Sequence, residues 1–108
     1  MNMSSTIKPK PRSHITIERT EDLPEEAALW RAVIAQAVRD MYDSTPSGPR
    51  LRREVLVWIH TRDFNTVCDN ASVPAFDLKE QFIALSGMPL SLARKYGMIL
   101  REKLNEDD

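Results

Sequence analysis

The sequence predicts an all-α fold, a compact five-helix domain that contains a helix-turn-helix unit and follows a flexible N-terminal arm. Apolar residues recur every three or four positions in several stretches, short polar loops separate these stretches, and no convincing strand pattern is present. The 108 residues suffice for one modest core. We therefore expect a basic arm at residues 1–21, a helical domain at residues 22–104 and a frayed acidic tail at residues 105–108.

The first helix is predicted to begin at Asp22, which can cap it, with Pro24 in the first turn, and to end near Tyr42. One face carries a wide apolar stripe that should pack against other helices. The stripe consists of Leu29, Trp30, Val33, Ile34, Ala37, Val38 and Met41.

Pro49 can open the second helix after a loop of polar and small residues. Its expected inward face consists of Leu51, Val55, Trp58 and Ile59. Trp30 and Trp58 should be core anchors whose indole N–H groups find partners, and Phe64 should seal the junction with the next helix. Thr61 is the expected cap of a third helix of about eight residues.

A turn at residues 72–74 leads into a fourth helix, predicted at residues 75–85. A fifth helix is predicted at residues 90–104, after Gly87 and Pro89 end the fourth. Its buried side should consist of Leu92, Tyr96, Ile99 and Leu100. Gly97 interrupts this helix and should weaken it by roughly 1 kcal/mol relative to alanine.

Residues 64–82 have the spacing of a helix-turn-helix unit. Ala71 allows the two helices to approach, Ser72 stands where glycine is usual, and Val73 can fill the gap behind the turn. Its other expected buried positions are Val67, Leu78 and Phe82. An ordinary corner between two helices of a bundle has the same pattern and stays open as an alternative.

The formal net charge of −1 hides an uneven distribution, because basic residues concentrate in residues 1–19 and 49–62. Attraction to double-stranded DNA must therefore be local. The candidates for phosphate contacts are Arg50, Arg52, Arg53 and Arg62, whose guanidinium groups bind phosphate at two points. A solvated helix face that pairs with Glu54 is the alternative. Lys8, Lys10 and Arg12 of the arm could add a minor-groove contact.

If the fourth helix reads DNA, Phe76 and Lys79 are its best candidates for contacts with bases. The acidic residues Asp77 and Glu80 fit poorly beside phosphates. Phe76, Glu80 and Ile83 equally suit a protein partner, or a homodimer that buries the same face.

Catalysis is not expected, since no nucleophile is paired with a base, and neither a cofactor motif nor a set of metal ligands is present. Cys68 is expected to be a small buried residue. His60 is expected to be a partly exposed residue that interacts favourably with the C-terminus of the second helix. The sequence lacks a long apolar run and a signal-peptide pattern, so we expect a cytoplasmic protein without a membrane partner.

The segments LWRAVIAQAVRDMY and LRREVLVWIHTRDFNTVCDNASV resemble small helical proteins associated with prophages and gene transfer agents of alphaproteobacteria. The resemblance covers about residues 29–73. The residues that carry it are Trp30, Val33, Ile34, Gln36, Ala37, Arg52 or Arg53, Trp58, Ile59, Asp63, Phe64, Val67, Cys68 and Ala71. It implies phage-type genes and transcriptional control, although those relatives have a more basic helix after the turn.

These observations together predict a DNA-binding transcriptional regulator of phage-type or gene-transfer-agent genes. The alternative is a non-enzymatic adaptor that binds RNA polymerase or a phage regulator through the exposed face of the fourth helix.

Overall fold

The structure, a computed structural model, describes residues 25–105, which form five helices and no strand. In chain order they are α1 (Glu25–Asp40), α2 (Gly48–Trp58), α3 (Arg62–Ala71), α4 (Ala75–Ser86) and α5 (Leu90–Asn105). The prediction of an all-α domain with five helices is confirmed. The predicted arm, the predicted helix start at Asp22 and residues 106–108 lie outside the described residues.

The helix α1 is at the centre of the fold and packs mainly against α5 and α3. Its buried face runs through Ala27, Arg31, Ile34 and Val38, at helical spacing. The prediction for Leu29 and Val33 was wrong, because their side chains are 69% and 45% exposed. The buried stripe is rotated away from them, and an arginine occupies one of its positions.

The two tryptophans are only partly buried and pack against the edge of the core rather than forming its centre. Trp58 does find a partner, since its indole N–H donates to the Asp63 carboxylate at 3.0 Å. The corresponding prediction for Trp30 was wrong, because its buried indole N–H has no acceptor within residues 25–105.

The buried side of α5 differs from the prediction. Leu92, Tyr96 and Ile99 are 40–45% exposed. The residues that contact the core are Ala93, Gly97, Leu100 and Leu104. The physical reason is close packing of α5 on α1 and the residues that follow it: a Cβ atom at Gly97 would lie 2.7 Å from two ring carbons of Tyr42. Small residues permit this approach, so the larger apolar side chains lie toward solvent.

The junction of α2 and α3 is built as predicted. The Thr61 hydroxyl accepts a hydrogen bond from the Phe64 N–H at 3.3 Å and caps α3, which has ten residues rather than about eight. Phe64 is fully buried, with its ring edge-to-face against Trp58 and Phe82 at centroid distances of 5.0 and 6.2 Å. This aromatic contact chain links α2, α3 and α4.

None of the helices in residues 25–105 combines the length and the apolar character that crossing a membrane requires.

Candidate nucleic-acid interface

The turn between α3 and α4 ends α3 with a residue in the left-handed conformation. Ser72 has φ 59° and ψ 45°, a region in which glycine is the usual residue. The N–H of Ser72 donates to the carbonyl of Asp69, and the N–H of Val73 donates to the carbonyl of Cys68. These two bonds form a Schellman motif, whose apolar contact is available here because Val73 and Cys68 are both buried.

Arg31 of α1 completes the end of α3. Its side chain is 1% exposed, and its Nε donates to the carbonyl oxygen of Ala71 at 2.9 Å. A second, longer bond of 3.5 Å joins its Nη2 to the carbonyl of Ser72. The last carbonyls of a helix carry partial negative charge, so the guanidinium both satisfies them and is compensated by them. Arg31 of α1 thereby helps to fix the direction in which the chain leaves α3.

The helix α4 starts directly after this turn, and Leu78, Phe82 and Leu85 attach it to the core. Its outer face is apolar and acidic. Phe76 is 70% exposed and Ile83 43% exposed, and Glu80 is exposed between them at helical spacing. Lys79, the only cation of α4, is half-buried. The face therefore offers much apolar area and little positive charge.

The arginines of α2 differ in how available they are. Arg50 forms an exposed ion pair with Glu54 at 2.9 Å, and such a pair contributes little and exchanges readily for another anion. Arg53 is exposed. Arg52 is half-buried and donates from Nη1 to the Asp43 carbonyl at 3.1 Å, so it holds the loop between α1 and α2. Arg62 is exposed at the first position of α3.

The predicted site residues thus lie on three consecutive helices whose mutual positions are fixed by the aromatic contacts around Phe64 and by the turn at Ser72. The phosphate candidates are on α2 and at the start of α3, and the base candidates are on α4. Arg50 pairs with Glu54 at the surface, whereas the half-buried Arg52 donates to the Asp43 carbonyl and so takes part in holding the loop between α1 and α2.

Cys68 has the environment expected of a buried structural residue. Burial raises the pKa of its thiol to about 12, with a further contribution from the charge of Asp69. A thiol with so high a pKa stays protonated and is a poor nucleophile. Among residues 25–105, no three His, Cys, Asp or Glu side chains are grouped so that they could hold a metal ion.

Arg31 is the important residue that the sequence analysis missed. Its register could have revealed it, because Ala27, Arg31, Ile34 and Val38 follow one another at intervals of four, three and four. Arginine is ordinarily exposed, so a search for apolar residues alone passes over it.

A comparison of the chain with known protein families, curated proteins and solved structures gives no significant match.

Proposed function

We propose that this protein is a DNA-binding transcriptional regulator in which α3 and α4 form the helix-turn-helix and α4 enters the major groove. The observation that carries the proposal is the turn itself. A left-handed residue followed by a buried apolar residue is the arrangement by which such units hold the second helix outward, and Ser72 and Val73 have it. The assignment to phage-type or gene-transfer-agent genes rests on the sequence resemblance alone.

Phosphate contacts are assigned to Arg50, Arg53 and Arg62. All three are exposed, and the pair of Arg50 with Glu54 can open in favour of a phosphate. Arg62 has the additional advantage of the helix N-terminus, where the backbone dipole attracts anions. These contacts position the protein and carry no sequence information.

Base contacts are assigned to the exposed part of α4. Phe76 can pack against a thymine methyl group, and Lys79 can donate to guanine if its half-buried stem extends. Glu80 can accept a hydrogen bond from a cytosine amino group. Its negative charge, which is unfavourable near phosphates, would then contribute to sequence specificity.

The test is fluorescence anisotropy of labelled duplex DNA with the full chain at several KCl concentrations. Binding through phosphates releases counterions, so we expect the logarithm of the association constant to fall linearly with the logarithm of the salt concentration. No binding of any duplex, or binding that does not depend on salt concentration, would contradict the proposal.

A second function is favoured by the apolar character of the same face. Phe76 and Ile83 are exposed on both sides of Glu80, and large aromatic side chains of this kind dominate the energetics of protein interfaces. The face could belong to an adaptor that binds RNA polymerase or another regulator, or to a homodimer.

A pull-down from the source cell, with and without nuclease, separates these two functions. The adaptor predicts a partner that survives nuclease and is lost in Phe76→Ala. Leu29→Ala is a matched control, because Leu29 on α1 is 69% exposed and Phe76 70%. A partner that disappears with nuclease contradicts the adaptor. Light scattering of the purified chain identifies the homodimer.

A further inference from the structure

A cleft beside the end of α1 concentrates positive charge. It has a volume of about 410 Å³ and lies between the end of α1, the loop that follows it and one face of α5. Arg39 comes from the last turn of α1, whereas Arg94 and Arg101 are seven residues apart and so share one face of α5. None of the sequence-based assignments includes these arginines.

Within residues 25–105, the lining of the cleft carries an excess of positive charge. Asp43 is the only acidic residue there, against three arginines. Its carboxylate accepts hydrogen bonds from the hydroxyl and the N–H of Thr45, and these, with smaller contributions from the charges of Arg39 and Arg52, lower the pKa of Asp43. Within residues 25–105, none of the three lining arginines forms an ion pair.

Arg101 is held in place at the cleft but is not fully satisfied. Its Nη1 donates to the Tyr42 hydroxyl at 2.9 Å, which orients the guanidinium. Its Nε is buried and has no acceptor within the described part of the chain. Buried donors almost always have an acceptor, so the Nε of Arg101, a residue of the cleft lining, is a donor that a small rotation could offer to a ligand oxygen.

We propose that this cleft binds a phosphate ester of about nucleotide size. Guanidinium groups bind phosphate oxygens at two points, and three of them beside a single carboxylate leave an excess of positive charge that a bound anion would neutralise. The cleft volume falls in the range of small-molecule sites, which begins at about 300 Å³. The cleft is therefore larger than a bare phosphate requires. The ring of Tyr42 and the side chain of Met98 provide an apolar wall for the rest of the ligand.

The test is isothermal titration calorimetry of the full chain with adenosine diphosphate, adenosine and inorganic phosphate. We expect the diphosphate to bind, adenosine not to bind, and inorganic phosphate to bind more weakly than the diphosphate. Binding of adenosine equal to that of the diphosphate would overturn the proposal, because the phosphates would then contribute nothing. Equal binding of inorganic phosphate would overturn the assignment of a nucleotide-sized ligand.

Two variants locate the binding. Arg94→Gln, at an exposed position where the fold should tolerate it, should weaken diphosphate binding by about tenfold, the equivalent of one charge-assisted contact. Lys103→Gln removes one positive charge from an exposed position of α5 outside the cleft lining and should leave diphosphate binding unchanged. Equal effects of the two substitutions would overturn the proposal. If the wild type does not bind the diphosphate and Arg94→Gln loses duplex DNA binding, the cleft contacts a nucleic-acid backbone. This result would also overturn the proposal.

Discussion

The buried Nε of Arg31 in α1 donates a hydrogen bond of 2.9 Å to the carbonyl oxygen of Ala71, the last residue of α3. Arginine remains ionised in proteins, and a buried charge is costly unless polar groups surround it. The final carbonyls of α3 are such groups. This bond therefore couples the central helix to the turn that sets the direction of α4.

Replacing Arg31 with leucine should lower the free energy of unfolding by about 2 kcal/mol, because the Ala71 carbonyl would lose a donor that carries a charge. Urea unfolding followed by circular dichroism measures this change. Arg53→Leu, at an exposed position of α2, is the control and should change stability by less than about 0.5 kcal/mol. Equal losses in the two variants would contradict the role given to Arg31.

Ser72→Gly should stabilise the protein. A residue with a Cβ atom is strained in the left-handed conformation that Ser72 adopts, and glycine is not, so the gain should be about 1 kcal/mol. For a domain of this size, that corresponds to an increase of about 5 °C in the melting temperature. Ser72→Ala keeps the Cβ atom and should give no such increase. A lower melting temperature for the glycine variant would mean that the turn has another conformation.

Gly97→Ala should destabilise the protein, although alanine ordinarily favours a helix. The added Cβ atom would lie 2.7 Å from two ring carbons of Tyr42, and overpacking of this kind costs about 1–3 kcal/mol. Thermal unfolding of the single variant measures the cost. In a Tyr42→Ala background the clash is absent, so the same substitution should become favourable. A stabilised single variant would show that α5 does not approach α1 so closely.

The Cys68 thiol should make stability fall as the pH rises above 9. In the folded protein burial raises its pKa to about 12, from an ordinary value of 9.0, so the unfolded chain releases this proton first and is favoured between these two values. Unfolding by urea at pH 8 and pH 10 should show a loss in the wild type that exceeds the loss in Cys68→Ala by about 1 kcal/mol. Identical pH dependence in the two proteins would place the thiol in contact with water.

The number of helices, their order and the cap at Thr61 could be predicted because they depend on local signals, namely apolar spacing, turn residues and a side chain that reaches a nearby N–H. The turn at Ser72 was predictable for the same reason, even though glycine is absent there. Local chemistry decides each of these features within a few residues.

The faces of α1 and α5 could not be predicted equally well, because they depend on which helices meet and how closely. A pattern of large apolar residues selects Leu92, Tyr96 and Ile99, whereas the close approach at Gly97 places small residues at the contact. The role of Arg31 could not be predicted, since its partners are backbone carbonyls 40 and 41 residues away in the chain. The same limit applies to the arginine cleft, whose residues come together only through packing of α5 beside the end of α1.

The most direct test of DNA binding is the slope of the logarithm of the association constant against the logarithm of the salt concentration. It is measured by anisotropy for the wild type and for the double variant Arg53→Ala, Arg62→Ala. Each lost phosphate contact should reduce the magnitude of the slope by about one, so the double variant should differ from the wild type by about two. Leu29→Ala serves as the control, because this exposed residue of α1 carries no charge, and it should keep the wild-type slope. A double variant whose slope equals that of the wild type, or a wild type without any salt-dependent binding, would contradict the proposed DNA-binding function.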